Sequence, residues 1–527
     1  MSSTRRSSWG PGPGLSRRSF MKVAGAGGAV VTLPVMAAGC GPKAHLGAGA
    51  RPAGAHQTYF DQFGLGRELI EKTLRRALGR GGDFAEVFCQ HKISHWLGME
   101  DGQVDRAYTQ VRLGAGIRVL KGDATGFAYC EDLTEEALLR TAAAAATVAD
   151  GTPIARPRSL VAVPHVSQYQ VKLPWSEVGV ERKLPIVQRA EKLARSRDGR
   201  IVKVTVFLED DVSRILVATS EGRLVEDDQP MTTLRVSCTG RSQGVTETSG
   251  QSVASMDDLS FYTDEVIRKC AHEAADYTTL LFGAGSPPVG NVPVVLAPGV
   301  TGILLHEAIG HGMEADFNRK GTSIYAGRIG KRVAPKDVTV LDDGTAPRRF
   351  RGSINVDDEG QAAARTVLVE GGILRSYMHD RISARHYGLK STGSGRRQDY
   401  RYPPNPRMRN TFMLPGPSSP EEIIRSVKHG LYAEMFTNGQ VMIGAGDFTF
   451  YLKHGRLIEN GKLGPVVKDA NLIGNGPRVL EQVDMVGSDL RMHSGAGYCG
   501  KDGQMVPVGF GLPTVRAHGM SVGGRKS

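Results

Sequence analysis

The run Ser286-Pro-Pro-Val-Gly290 constrains the fold more than any other stretch, because Pro and Gly in succession neither continue a helix nor sit inside a paired strand. It divides a 527-residue chain, too long for one hydrophobic core, into halves of different texture. Ahead of it, helical and strand patterns alternate. Leucines and Ile70 at helical spacing predict an amphipathic helix over 67–78, ended by Gly79-Arg80-Gly81-Gly82. Strands are predicted at 85–89 and 111–120, then an alanine-rich helix over 134–149. A second amphipathic helix spans 185–196, with Pro185 in its first turn where the missing N–H does no harm. Strands dominate 201–245, and a helix near 264–277 closes this half. Behind the break, a strand over 292–296 is followed by many short strands separated by glycines. The 67 glycines suit such strands and tight turns better than a helix bundle. The expected class is α+β: a mixed α/β N-terminal half over 58–285, in two subregions, and a β-rich half over 286–527.

The first forty residues read as an address. Ser16-Arg17-Arg18-Ser19-Phe20-Met21-Lys22 is a twin-arginine pattern, followed by a short, weakly apolar, glycine-rich stretch and Ala37-Ala38-Gly39-Cys40. The apolar run is shorter than the ~20 residues a membrane-spanning helix needs. Small residues before Cys40 resemble a lipoprotein cleavage box, which makes Cys40 the candidate for lipidation and the sole expected route to a membrane. Residues 41–57, rich in Ala, Gly and Pro, read as a tether. Export to the periplasm or cell envelope is expected. Removing Arg5, Arg6, Arg17, Arg18 and Lys22 with the signal takes the formal charge from +12 to +7. What remains is not gathered into a basic run with interleaved aromatics, so no nucleic-acid partner is expected.

In the second half, a Pro298-Gly299 turn leads into an apolar helix over 300–305 and then His306-Glu307-Ala308-Ile309-Gly310-His311. Imidazole nitrogen is a zinc ligand, and a neighbouring carboxylate can take a proton from an activated water. On a regular α-helix, however, residues i and i+5 diverge by about 140°. The two histidines converge on one ion only if the helix widens into a π-turn or unwinds at Gly310. The alternative is two unrelated histidines on an amphipathic helix. Candidates for a third ligand are Glu314 and Asp316, which read more readily as surface groups, and Cys499, whose bland reading is a small buried hydrophobe. Arg396 and Arg397 are candidates to grip a peptide carboxylate, or else to form a structural ion pair. His379, His386 and His493 are candidate oxyanion partners. Cys89, Cys130, Cys238 and Cys270 lack paired ligand spacing, which argues against a second metal site; an oxidising compartment would allow disulfides, and folding before export favours buried free thiols.

At these residues the sequence resembles the TldD branch of the TldD/PmbA metallopeptidases, whose older name is modulator of DNA gyrase. The resemblance rests on His306-Glu307-x-x-x-His311, on Cys499-Gly-Lys-Asp-Gly-Gln504 and on Val506-Pro-Val-Gly509. Between them stand Gly393-Ser-Gly-Arg-Arg397, Pro406-Arg-Met-Arg-Asn-Thr411, Leu472-Ile-Gly-Asn-Gly476 and Met485-Val-Gly487 in family order. It implies His306, His311 and Cys499 as ligands of one zinc ion per chain and Glu307 as the general base. It further implies hydrolysis of extended or unfolded peptides within a dimer, either a homodimer or a heterodimer with a PmbA/TldE-like subunit. Rival expectations are a non-catalytic subunit and a hydrolase of another amide. A DNA-associated regulator is opposed by the export signal.

Overall fold

The computed structural model describes residues 57–346, 350–442 and 444–524. The twin-arginine run, Cys40 and nearly all of the tether lie outside them. Helix α1 (Arg67–Ala77) presents Ile70, Leu74 and Ala77 on one buried stripe. The first sheet follows, made of β1 (Phe84–Glu100), β2 (Gln103–Lys121), β3 (Ala124–Cys130), β4 (Val161–Ala162), β5 (Ile201–Thr219), β6 (Arg223–Ser242) and β7 (Val245–Ser255). Its order is β3-β2-β1-β5-β6-β4, with β7 also on β6. The strands are long enough to serve two cores. Toward one end, α1 and α2 (Glu135–Ala145) pack Leu74 and Leu138 against Val87, Ile117 and Leu216. Toward the other, α3 (Val180–Arg195) and α4 (Asp264–Leu280) pack Val187, Ala190 and Ala271 against Val204, Val206 and Leu234.

Residues beyond 290 build two further large sheets. An eight-stranded sheet is centred on the antiparallel meander His429–Met442, Asp447–Glu459 and Lys462–Asn475, with Val294–Leu296 joined in parallel to its first strand. A seven-stranded sheet pairs Asn410–Met413 in parallel with Gln504–Leu512, which in turn carries Gly497–Lys501. Side chains of both sheets share one core, and Leu304, Leu305, Ile309 and Met313 of the histidine segment belong to it. The α+β class expected from the sequence is therefore what forms. No helix among the described residues is long and apolar enough to cross a membrane.

Two local expectations are corrected. Helix α3 begins at Val180, so Pro185 stands in its second turn rather than its first. Pro185 is on the exposed side, where water can serve the carbonyl left without its N–H partner. Strands β1 and β2 run to 17 and 19 residues, far beyond 85–89 and 111–120. The outer half of β2 is exposed on both faces, its apolar Val104, Tyr108 and Val111 included, so no burial alternation announces it; backbone pairing with β1 holds it in place.

Candidate metal centre

The histidine segment is built as three successive helical gauges. An α-turn at Gly302–Leu305 passes into a π-turn at His306–Gly310 and then a 3-10 turn at His311–Met313. The N–H of His311 bonds to the carbonyl of His306, the i to i+5 bond that defines the widened turn. This resolves the spacing problem, because the turn brings the two imidazoles together at 5.2 Å between centroids with planes at 82°. Gly310 permits the approach of the next layer: an added Cβ would collide with the Met408 sulfur.

The third group arrives from a hairpin almost two hundred residues later. Asp502 and Gly503 take positive φ (50° and 71°), forming a tight turn that folds Gly497–Lys501 back on Gln504–Leu512. Residues alternate across that strand, which turns Cys499 inward. Arg407, wholly buried, donates to the Cys499 carbonyl and fixes the strand from behind. The ligand atoms of His306, His311 and Cys499 all lie within 4.8 Å of one another, with Cys499 Sγ 3.6 Å from His311 Nε2.

The electrostatics favour a cation. Burial opposes ionisation of Cys499, yet His311 and His306 beside it hold the thiol well below its usual range. Burial likewise opposes protonation of His311, and Glu314 and Cys499 overcome it, raising its pKa well above the usual value. His306 is fully buried, and neither of its ring nitrogens has a hydrogen-bond partner. An orphaned imidazole beside a thiol and a second imidazole is costly in a bare protein. It is what a late first-row ion taking nitrogen and sulfur requires, so the residues present fit the metal that the sequence implies.

Glu307 occupies the mouth. Its Oε2 lies 3.6 Å from His311 Nε2, and its side chain is 19% exposed against 2% for His311. Among these four residues, water reaches the carboxylate first. His493 stacks on Phe510 at 4.9 Å, and Phe510 in turn borders His306 at 6.2 Å. His379 packs against Tyr377 and Tyr387, and His386 against Tyr387.

Other expected residues have different placements. Arg397 pairs with Glu86, donates to the Asp358 carbonyl and covers the Phe88 ring. Arg396 donates to the Met408 carbonyl. Both line a cleft of about 70 Å³ between the first sheet and the C-terminal sheets. Glu314 and Asp316, expected at the surface, are buried at 0% and 8% exposure because Lys501 lies between them. Lys501 belongs to the Cys499–Gln504 motif but carries no expected role in the sequence; its spacing of i+2 from Cys499 puts both on one strand face. Cys89, Cys130, Cys238, Cys270 and Cys499 are free thiols, with Cys130 half-buried.

Residues 289–524 match the description PmbA/TldA metallopeptidase C-terminal domain, 173–281 the central domain and 85–149 domain 1 of that family. Residues 14–34 match a twin-arginine translocation pathway signal sequence. The chain is 37% identical over 449 residues to the metalloprotease TldD homolog of Buchnera aphidicola, covering 84% of this chain and 93% of that one. It is 37% identical over 453 residues to the Haemophilus influenzae homolog, covering 84% and 94%. Its fold matches TldE from Thermococcus kodakarensis with a TM-score of 0.67 at 19% identity, covering 87% and 99%. It also matches a Thermotoga maritima protein described as a modulator of a DNA gyrase, with a TM-score of 0.70 at 20% identity, covering 88% and 100%. With three family domains in order and curated relatives aligned over most of its length, the chain is a metallopeptidase of the PmbA/TldD family.

Proposed function

We propose that the protein is a zinc peptidase that cleaves extended or unfolded peptides after export by the twin-arginine route. The observation that carries this reading is His306, buried with both ring nitrogens unpartnered beside Cys499 and His311. His306, His311 and Cys499 would hold the ion. When bound, zinc supplies Lewis-acid chemistry, polarising a carbonyl and acidifying water. Glu307, the solvent-facing group of the four, takes the proton of the attacking water and delivers it to the leaving amine. The peptide lies extended against a strand edge, held by main-chain bonds that tolerate any sequence.

Arg396 and Arg397 belong in this reading to the frame of the site, because Glu86 and the Asp358 and Met408 carbonyls already engage them. Assembly with a TldE-like subunit or with a second copy of this chain belongs to this reading through the family resemblance, and the likeness to TldE adds a shared fold. The translocation signal supports a periplasmic or cell-envelope location, with Cys40 the residue a lipidation step would modify.

The test is to incubate the mature protein and Glu307→Gln with casein and to follow fragments by mass spectrometry. The reading expects cleavage by the parent and at least a ~100-fold loss in the variant, with metal content equal in both. Cleavage that survives Glu307→Gln would refute the assignment of the base.

A further inference from the structure

Strand Gly497–Lys501 turns both Cys499 and Lys501 inward, and each meets the histidine segment differently. Lys501 Nζ lies 3.1 Å from Glu314 Oε2 and 2.8 Å from Asp316 Oδ1, and donates to the Pro406 carbonyl at 3.0 Å. The same Glu314 Oε2 lies 3.0 Å from His311 Nδ1. Asn318 Nδ2 donates to the carbonyls of Gly312 and Glu314, closing the turn that carries the carboxylate. A continuous buried line thus runs Lys501–Glu314–His311, and His311 Nε2 faces Cys499 Sγ at its far end.

We propose that Glu314 and Lys501 are positioning residues that preset the metal centre. Neutral imidazole carries one N–H; placed on Nδ1 and given to Glu314, it leaves the Nε2 lone pair facing the thiol. Lys501 keeps Glu314 in place. Because Lys501 stands two residues from Cys499, the same contact fixes the register of the sulfur against the imidazole. Two ligands 188 residues apart in sequence are brought into one geometry by this tie. Stability does not explain the arrangement, since a buried ion pair is commonly replaced by apolar residues at little or no cost. His306 has no corresponding partner, so the orienting role falls on one imidazole of the two. The inference rests on the reading of His306, His311 and Cys499 as a metal site.

Changing Glu314 alone or Lys501 alone would strand the other's buried charge, so the informative variants are doubles; both leave Asp316 without Lys501 alike, and that loss cancels when the two are compared. Glu314→Gln with Lys501→Met removes both charges but keeps an oxygen that accepts from His311 Nδ1. Glu314→Leu with Lys501→Met removes the acceptor as well. Affinity for Zn²⁺ is measured on each folded protein by competition with a chromophoric chelator, without any peptidase assay. The glutamine double should bind within a few-fold of the parent, and the leucine double roughly 10- to 100-fold more weakly. Equal affinity in the two doubles, whether high or low, would overturn the positioning role. A parent that binds no Zn²⁺ would overturn the metal site itself along with it.

Discussion

Cys499 shows at the scale of single residues how local charge decides chemistry: a thiol with no exposed surface is kept acidic by two imidazoles. Elsewhere burial acts without such help. His379 and His454 are 2% and 3% exposed, and burial pushes each down to about 4. Between that value and the ordinary imidazole pKa of about 6.5, the unfolded chain binds more protons than the folded one, so folding stability rises with pH. Urea titrations at pH 7 and pH 5 should therefore show a loss on the order of 2 kcal/mol per imidazole at the lower pH. Asp227, pushed up to about 6 by burial, offsets part of that loss. In His379→Asn with His454→Asn the drop from pH 7 to pH 5 should shrink by that amount, and a parent-like pH dependence in the variant would contradict the buried neutral state of these rings. The grouping of the candidate residues was legible in part: His306, Glu307 and His311 stand in one short pattern, whereas Cys499 is tied to them only by the family resemblance. Glu314 and Asp316 were misread because what buries them is Lys501, a partner supplied from far along the chain.

Among the elements, the π-turn at His306–Gly310 matters most, since a regular helix would splay the two imidazoles apart. The i to i+5 spacing made a widened turn one of two options; the choice between it and unwinding at Gly310 is made by packing. Leu304, Leu305, Ile309 and Met313 stay in one core only if the segment remains helical, and Gly310 lets Met408 lie against it. Gly310→Ala should thus destabilise the protein by about 1–3 kcal/mol through overpacking and lower its metal content, measured by thermal melting and elemental analysis. Parent-like values in both would mean that Met408 yields freely. Strand extents were less legible than helices. The exposed outer half of β2 exists through pairing with β1, a cause that hydropathy cannot display.

Over the whole molecule, the first sheet meets the C-terminal sheets through buried charge. Arg118 Nη2 lies 2.6 Å from both Glu86 of β1 and Glu359, and Arg397 completes the cluster on Glu86. Burial opposes ionisation of Glu86, but Arg118 and Arg397 outweigh it and keep its carboxyl below the usual range. Glu86→Ala would leave two buried guanidinium groups sharing fewer anions and should cost about 3–5 kcal/mol. Calorimetry should then show a lowered transition, and an unshifted one would remove this cluster as the tie. Sequence could not supply these pairings. The Pro-Gly break at 286–290 marks where the texture changes, whereas the seam depends on residues from 86 to 397.

Two imidazoles and one thiol from segments far apart in sequence stand within reach of a single metal ion. X-ray absorption at the zinc edge of the purified protein reads that shell. The spectrum should show one zinc per chain with one sulfur at about 2.3 Å and two imidazole nitrogens at about 2.0–2.1 Å, the sulfur vanishing in Cys499→Ser. A zinc shell with no sulfur in the parent, or a sulfur that persists in the variant, would contradict it.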